Sequence, residues 1–341
     1  MTKQNRQKTA LSGRRLPARV LVLAAIILIF SAAVLKFAGT YMLTVYNTVL
    51  VYFIAALGMS VMFGMGGSMM FCSVAMMGVG AFVAAKLCTS YGVPSLLGLL
   101  IGVLTTGLFS LLIGLPLLRL NNTFFTFATL GLVQIMNNIF KNFVPLSNGP
   151  DGISKIPKLS FLGSVVENKQ QWFVLLMVIG ILCGLLVERI RKSGMGRALM
   201  SVRDNELMAQ TMGTNIYATR VIAFTVAGLL AGLAGTLLAF HNEYISYSLF
   251  TYNQSVNLVI MVMLGGINST IGTFCGALLI TLLPEWLRPL KSYLKIIYGV
   301  MLILLMTFMP TGVAGFVQSM KKKLVNRLKK RKEARGNAEA R

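Results

Sequence analysis

The chain has 341 residues, a formal net charge of +23, four cysteines, 56% hydrophobic residues and only 12% charged residues. Soluble globular chains carry about 25% charged residues, so an ordinary cytoplasmic enzyme and a disordered chain are excluded, and an all-α polytopic integral membrane protein remains. The basic residues do not form a nucleic-acid footprint either, because 22 of the 32 fall in three polar islands, residues 1–19, 189–220 and 321–341, between apolar segments.

In chain order, a basic tail (residues 1–19) precedes Val20–Leu35, where eleven of sixteen residues are Val, Leu, Ile or Phe. Lys36 and Phe37 interrupt the place where a small-residue cleavage site would follow, so this segment reads as an uncleaved first helix. Apolar runs predict further spans at about 41–63, 69–88, 94–118, 123–143, 171–188, 221–240, 255–267, 270–287 and 296–314, against the roughly 20 residues that cross a bilayer. The run at 255–267 is short and ends in Gly265–Gly266, which predicts a tilted, broken or half-inserted helix. Residues 144–170 hold Pro145, Pro150 and Pro157 with Gly149, Gly152 and Gly163, and read as an irregular loop.

Placing the three basic islands on one side sets the topology. About ten transmembrane helices result, with both termini cytoplasmic, Arg119 and the loop 189–220 inside, and the loop 144–170 outside. Lys155, Lys158 and Lys169 then lie outside, partly balanced by Asp151 and Glu167. The organisation is a cytoplasmic tail at 1–19, a multi-span unit at 20–316 and a basic cytoplasmic tail at 317–341.

The chemistry of the chain is sparse. Cys72, Cys88, Cys183 and Cys275 lie in apolar stretches without C-x-x-C or His-linked spacing, and read as inert thiols with no metal site and no disulfide framework. No G-x-x-x-x-G-K-[ST] loop is present, so neither an ATP site nor another cofactor is expected. The single histidine, His241, stands beside Glu243 at a helix end and reads as a solvated interfacial pair. Lys86 and Lys141 lie near helix ends and can snorkel, and Glu285 beside Trp286 and Arg288 reads as an interface anchor. Ion-coupled carriers place ionisable residues near the midplane; none is found here, which counts against a secondary carrier and an intramembrane hydrolase.

Two polar features remain. Gln134, Asn137 and Asn138 interrupt the run 123–143 at spacings that share one helical face. They can line a solute path or hydrogen-bond between helices. In the loop 189–220, Leu199, Val202, Leu207 and Met208 are spaced for one apolar face of a short amphipathic helix that ends near Gly213. Its mixed charges, Arg197, Arg203, Asp204 and Glu206, favour a protein partner over a lipid surface. Gly98-x-x-x-Gly102, Gly228-x-x-x-Gly232 and Gly272-x-x-x-Gly276 predict close helix packing.

From about residue 40 to 316 the chain resembles the LivM-type permease subunits of branched-chain amino-acid ABC importers. Its most specific part is the run GMGRALMSVRDNELMAQTMGTNIYATRVIAFTVAGLLAGLAG (194–235), joined by LRLNNTFFTFATLGLVQI (118–135), GPDGI (149–153), MLGGINSTIGTFCGALL (263–279) and MPTGVAGF (309–316). The resemblance places Glu206–Gly213 at a divergent form of the loop by which such importers contact their ATPases. It implies a coupling role for Arg197, Arg203, Asp204, Glu206 and Gly213. It also implies a non-enzymatic half of a translocation path in a bacterial cytoplasmic membrane. The expected partners are a homologous second permease, two ATP-binding cassette ATPase subunits, an extracytoplasmic substrate-binding protein and the lipid bilayer, with no nucleic acid.

The early block, GGSMMFCSVAMMGVGAF (66–82), departs from the family pattern at Met69, Met70 and Cys72, and further departures occur at Tyr247, Asn268 and Thr273. If this block and its Ser68 line the path with Gln134, Asn137 and Asn138, the solute can differ. Urea, short amides and other small polar solutes are the alternatives within the family, and a secondary carrier is the alternative outside it.

Overall fold

The computed structural model describes residues 39–287 except Leu162, Gly163, Glu167 and Asn268, with isolated positions between 296 and 307. The predicted spans at 20–35 and 296–314 and both basic tails fall outside this stretch. Among the described residues, six helices are long and apolar enough to cross a membrane. They are α1 (Thr40–Met59, extended to Met65 by a π-helical turn), α2 (Ser73–Ser90), α3 (Ser95–Leu117), α4 (Asn122–Asn142), α5 (Lys169–Lys192) and, after two short loop helices, α8 (Ile216–Asn242). The loop helices are α6 (Gly194–Asp204) and α7 (Glu206–Thr211). The last two are shorter, α9 (Tyr252–Gly265) of 14 residues and α10 (Thr270–Trp286) of 17. At about 1.5 Å per residue neither reaches the roughly 30 Å of a hydrocarbon core, in keeping with the break expected at Gly265–Gly266.

Successive helices run in opposite directions, so the turns gather at two ends. At one end Tyr217 donates to the Leu115 carbonyl at 2.7 Å, and Arg119 sits over the Tyr217 ring. A Cβ on Gly64 would lie 2.2 Å from the Ile267 carbonyl oxygen at that same end. At the other end Tyr41 donates to Glu285 at 2.5 Å, and Ser95 and Ser160 share a hydrogen bond of 3.1 Å. Strand β1 (Ile153–Ser154) pairs antiparallel with β4 (Tyr244–Ile245) there, and β2 (Ser160–Phe161) pairs with β3 (Ser164–Val165). The loop 144–170 is thus partly ordered by short ladders rather than irregular throughout.

The core is built of large apolar side chains such as Phe53, Leu57, Phe82 and Phe240, but one outer helix inverts the pattern of a soluble bundle. On α3 the inward face is Gly98, Gly102, Thr106, Gly107, Ser110 and Gly114. The outward face is a leucine stripe, Leu97, Leu100, Leu104, Leu108, Leu111 and Leu115. Between helices in lipid there is no hydrophobic gain to drive packing, so close van der Waals contact through small residues takes its place. Helices α1, α2 and α8 form the centre, largely buried, whereas α3 and α4 stand at the outside. The α1–α8 contact is tight: a Cβ on Gly58 would meet the Ala227 carbonyl oxygen at 2.8 Å. Cys72, Cys88 and Cys183 are buried, Cys275 is partly so, and all four are free thiols.

The predicted His241–Glu243 pair is not formed. His241 packs edge-on to Trp172, ring centroids 5.5 Å apart, and the Glu243 carbonyl accepts from the Ile156 N–H at 3.2 Å. The helix ends at Glu243, which holds a left-handed backbone (φ 54°).

Candidate functional site

Two features stand out: the loop 193–215 at one end of the bundle, and the outer face of α4 that begins beside it. Ser193 starts the loop by capping α6, its hydroxyl accepting from the Gly196 N–H at 3.3 Å. Leu199 and Val202 of α6 are fully buried against the bundle. At Asn205 the backbone becomes extended, and the side chain caps α7 by accepting from the Met208 N–H at 3.1 Å. Helix α7 ends in a Schellman arrangement: the Gly213 N–H donates to the Gln210 carbonyl at 2.9 Å and the Thr214 N–H to the Ala209 carbonyl at 3.0 Å. Gly213 holds φ at +80°, a value that side chains disfavour.

The break at Asn205 corrects the expected single amphipathic helix. Leu199 and Val202 face the protein, whereas Leu207 and Met208 are 75% and 63% exposed, so the four do not share a face. A non-helical residue between α6 and α7 rotates one face away from the other. With Met212, 83% exposed, the second pair forms an apolar tip that points away from the bundle.

The loop's charges divide in the same way. Arg197 donates to the Lys192 carbonyl at 2.8 Å and so closes the end of α5. Arg203 donates to the Gly64 carbonyl at 2.6 Å, and its stem lies over Gly67, where a Cβ would fall 2.7 Å from the arginine Cγ. Asp204 is exposed. Glu206 pairs with Arg220 at the start of α8, and the same carboxylate oxygen accepts from Asn122 Nδ2 at 3.4 Å. The oxygen of the Asn122 amide accepts from the Ser68 hydroxyl at 2.9 Å. An open cleft of about 650 Å³ lies alongside, lined by Arg119, Glu206, Gln210, Tyr217 and Arg220 among others. Arg220 and Asn122 were not singled out from the sequence; the only sign of Asn122 there is the Asn121–Asn122 pair at a helix start.

Helix α4 leans on the bundle along one ridge, Phe125, Thr129, Val133, Met136 and Phe140. Phe125 packs edge-on to Phe224 at 6.0 Å and Phe140 packs on Phe82 at 4.7 Å. Thr129 accepts from the Phe71 N–H at 3.3 Å and ties the non-helical segment 66–72 to α4. The structure separates the three polar residues of this helix. Asn137 is half-buried and donates to the Tyr247 and Phe250 carbonyls, both at 2.9 Å, and so serves the turn before α9. Gln134 and Asn138 are exposed on the outer face with Gly131, Ile135 and Asn142. Ser68 is buried, bonded to Asn122. Clefts of about 280 Å³ beside Met69 and Thr126, and about 460 Å³ beside Asn138 and Asn142, flank that face at its two ends.

A bundle of antiparallel apolar helices that packs through glycine and turns leucine outward is a multi-pass membrane protein. The sequence comparisons refine this. Residues 41–306 match the family described as branched-chain amino acid transport system / permease component, and the chain belongs to that family. It is 25% identical over 327 residues to the high-affinity branched-chain amino acid transport system permease protein LivM of Escherichia coli K12, covering 89% of this chain and 76% of the relative. It is 27% identical over 195 residues to LivH of the same strain, covering 53% of this chain and 61% of that relative. It is also 26% identical over 161 residues to the autoinducer 2 import system permease protein LsrC of Klebsiella pneumoniae, covering 46% and 44% of the two chains. No solved structure matches the chain significantly.

Proposed function

We propose that this chain is the transmembrane half-path of a bacterial ABC importer for branched-chain amino acids, resident in the cytoplasmic membrane. It works with a homologous second permease, two ATPase subunits and an extracytoplasmic binding protein, and hydrolyses no ATP itself. The observation that carries this reading is the tip of α7. Three apolar side chains, Leu207, Met208 and Met212, project from a loop whose root is fixed by Arg203 and Glu206. Apolar area gains about 25 cal/mol per Å² on leaving water, so such a tip favours a protein groove, and the charges around it set register more than affinity.

The outer face of α4 lines the solute path in this reading. Exposed amides facing lipid would be left without partners, whereas the leucine stripe of α3 faces lipid at no such cost. Gln134 and Asn138 therefore face the second permease across water or polar contacts. The departures at Met69, Met70 and Cys72, and a relative named for autoinducer 2 import, keep a small polar solute as a second reading. The test is uptake into proteoliposomes that hold the permease pair and the ATPases, with the binding protein outside. ATP-dependent leucine, isoleucine or valine uptake is expected. Uptake of urea or a short amide with no branched-chain amino acid transport would favour the second reading.

A further inference from the structure

We infer that Asn122 is a positioning residue for transport, the link through which movement of the loop helix α7 reaches α4 and the non-helical segment 66–72. This rests on the reading of α7 as the ATPase-docking element.

Asn122 is the first residue of α4 and lies between two groups that belong to different parts of the chain. Its Nδ2 donates to Glu206 of α7 at 3.4 Å, and its Oδ1 accepts from Ser68 at 2.9 Å. The orientation of the amide follows from its partners. An ionised carboxylate only accepts, so the amide nitrogen must face Glu206, which leaves the oxygen for the hydroxyl of Ser68. A side chain of this size that donates on one side and accepts on the other is an amide; Asp can do only the second, and Leu neither.

The partners extend the link in both directions. On the loop side the Glu206 carboxylate is also held by Arg220, which is buried at the root of α8. On the bundle side Ser68 is buried within the segment 66–72, and the next connection, Phe71 N–H to Thr129, returns to α4 about two turns further along. Helix α4 touches the bundle through a single ridge of side chains, so a pull at its first residue is opposed by little packing. The face moved by that pull carries Gln134 and Asn138. A displacement of α7 by a docked ATPase thus has a short polar route to the path face.

The test uses the assembled complex in proteoliposomes and reads solute moved per ATP hydrolysed, with subunit co-purification alongside. Asn122→Asp keeps the shape, removes the donor and sets two carboxylates against each other. It is expected to lower the transport-to-hydrolysis ratio about fivefold or more while assembly holds, the scale of losing one ordinary intramolecular hydrogen bond. Pairing it with Glu206→Gln restores a donor facing an acceptor in the reverse sense, and the double variant is expected to recover most of the ratio. A merely structural role for Asn122 would not give that rescue. Nucleotide-dependent hydrogen exchange along residues 122–142 supplies a readout that needs no transported solute. The parent is expected to show a change that Asn122→Asp abolishes. An unchanged ratio and unchanged exchange in Asn122→Asp, or a double variant no better than the single, overturns the link. A parent that never assembles with ATPases overturns the docking reading itself, and the link with it; that outcome is distinguished by the co-purification.

Discussion

Gly235 of α8 faces Met77 of α2 so closely that a Cβ on the glycine would sit 2.0 Å from the Met77 carbonyl oxygen. The contact is backbone against backbone, and Gly80 with Gly232, 2.8 Å by the same measure, continues it. No side chain can rotate away to make room. Gly235→Ala must therefore push the two central helices apart, an overpacking cost of about 1–3 kcal/mol. A lower melting temperature in detergent is expected. Gly131→Ala on the outer face of α4, where nothing lies within 4 Å, should leave the melting temperature unchanged or raise it. Equal losses in the two variants would contradict this packing.

Much of the bundle was legible because an apolar run in lipid has few alternatives to a helix. The run read at 41–63 is the helix and π turn Thr40–Met65, and that at 221–240 lies inside Ile216–Asn242. Even the weak segment before Gly265–Gly266 was visible, since two glycines end a helix cheaply. What the sequence withheld is contact between distant parts. Nothing in periodicity says that Asn137 turns inward to two carbonyls while Asn138, one residue on, faces out. Glu206 and Asn122 are 84 positions apart, and only the helix packing makes them neighbours. The break at Asn205 was missed because Asn is tolerated inside helices, and its role as a cap appears only once α7 starts beyond it.

The side of the membrane on which each loop lies can be checked directly. Arg119, the loop 193–215 and the turn at Ile267 gather at one end of the bundle, and β1, β4 and Glu285 at the other. Reporters inserted after Lys158 and after Gln210 are expected to read opposite sides, with Gln210 cytoplasmic. Fusions at residues 10 and 335 are expected to agree with Gln210. Any other pattern rejects the even span count or the orientation.

The α7 tip separates docking from folding. Leu207 and Met212 make little contact with the bundle, so Leu207→Glu and Met212→Glu should leave the permease folded in the membrane while ATPase co-purification falls. Glu206→Arg sets a second cation against Arg220 and should weaken assembly too. Gly213→Val forces a β-branched residue to φ near +80°, at a cost of about 1 kcal/mol or more, and should impair coupling; Gly213→Asn should be milder. If membrane association changes while assembly holds, the tip docks on lipid instead.

The sharpest contrast lies within one turn of α4. Asn137 holds the Tyr247 and Phe250 carbonyls at 2.9 Å each. Asn137→Leu leaves the Tyr247 oxygen with only the Phe250 N–H, at 3.1 Å, and removes the side-chain donor from the Phe250 oxygen; an unmet buried polar group costs about 1–3 kcal/mol. The expected result is a lower melting temperature, with transport lost in step with the folded fraction. Gln134 and Asn138 bear no such duty, so Gln134→Leu and Asn138→Leu should melt like the parent. If they line the path, their loss removes hydrogen-bonding groups that the moving solute meets, and transport should slow or its half-saturating concentration should rise while the folded fraction stays constant. A lipid-facing α4 predicts the reverse for these two variants: leucine would suit the hydrocarbon better than an amide, the melting temperature would rise, and transport would not change. Melting curves and uptake rates on the same three preparations decide which side of α4 the solute passes.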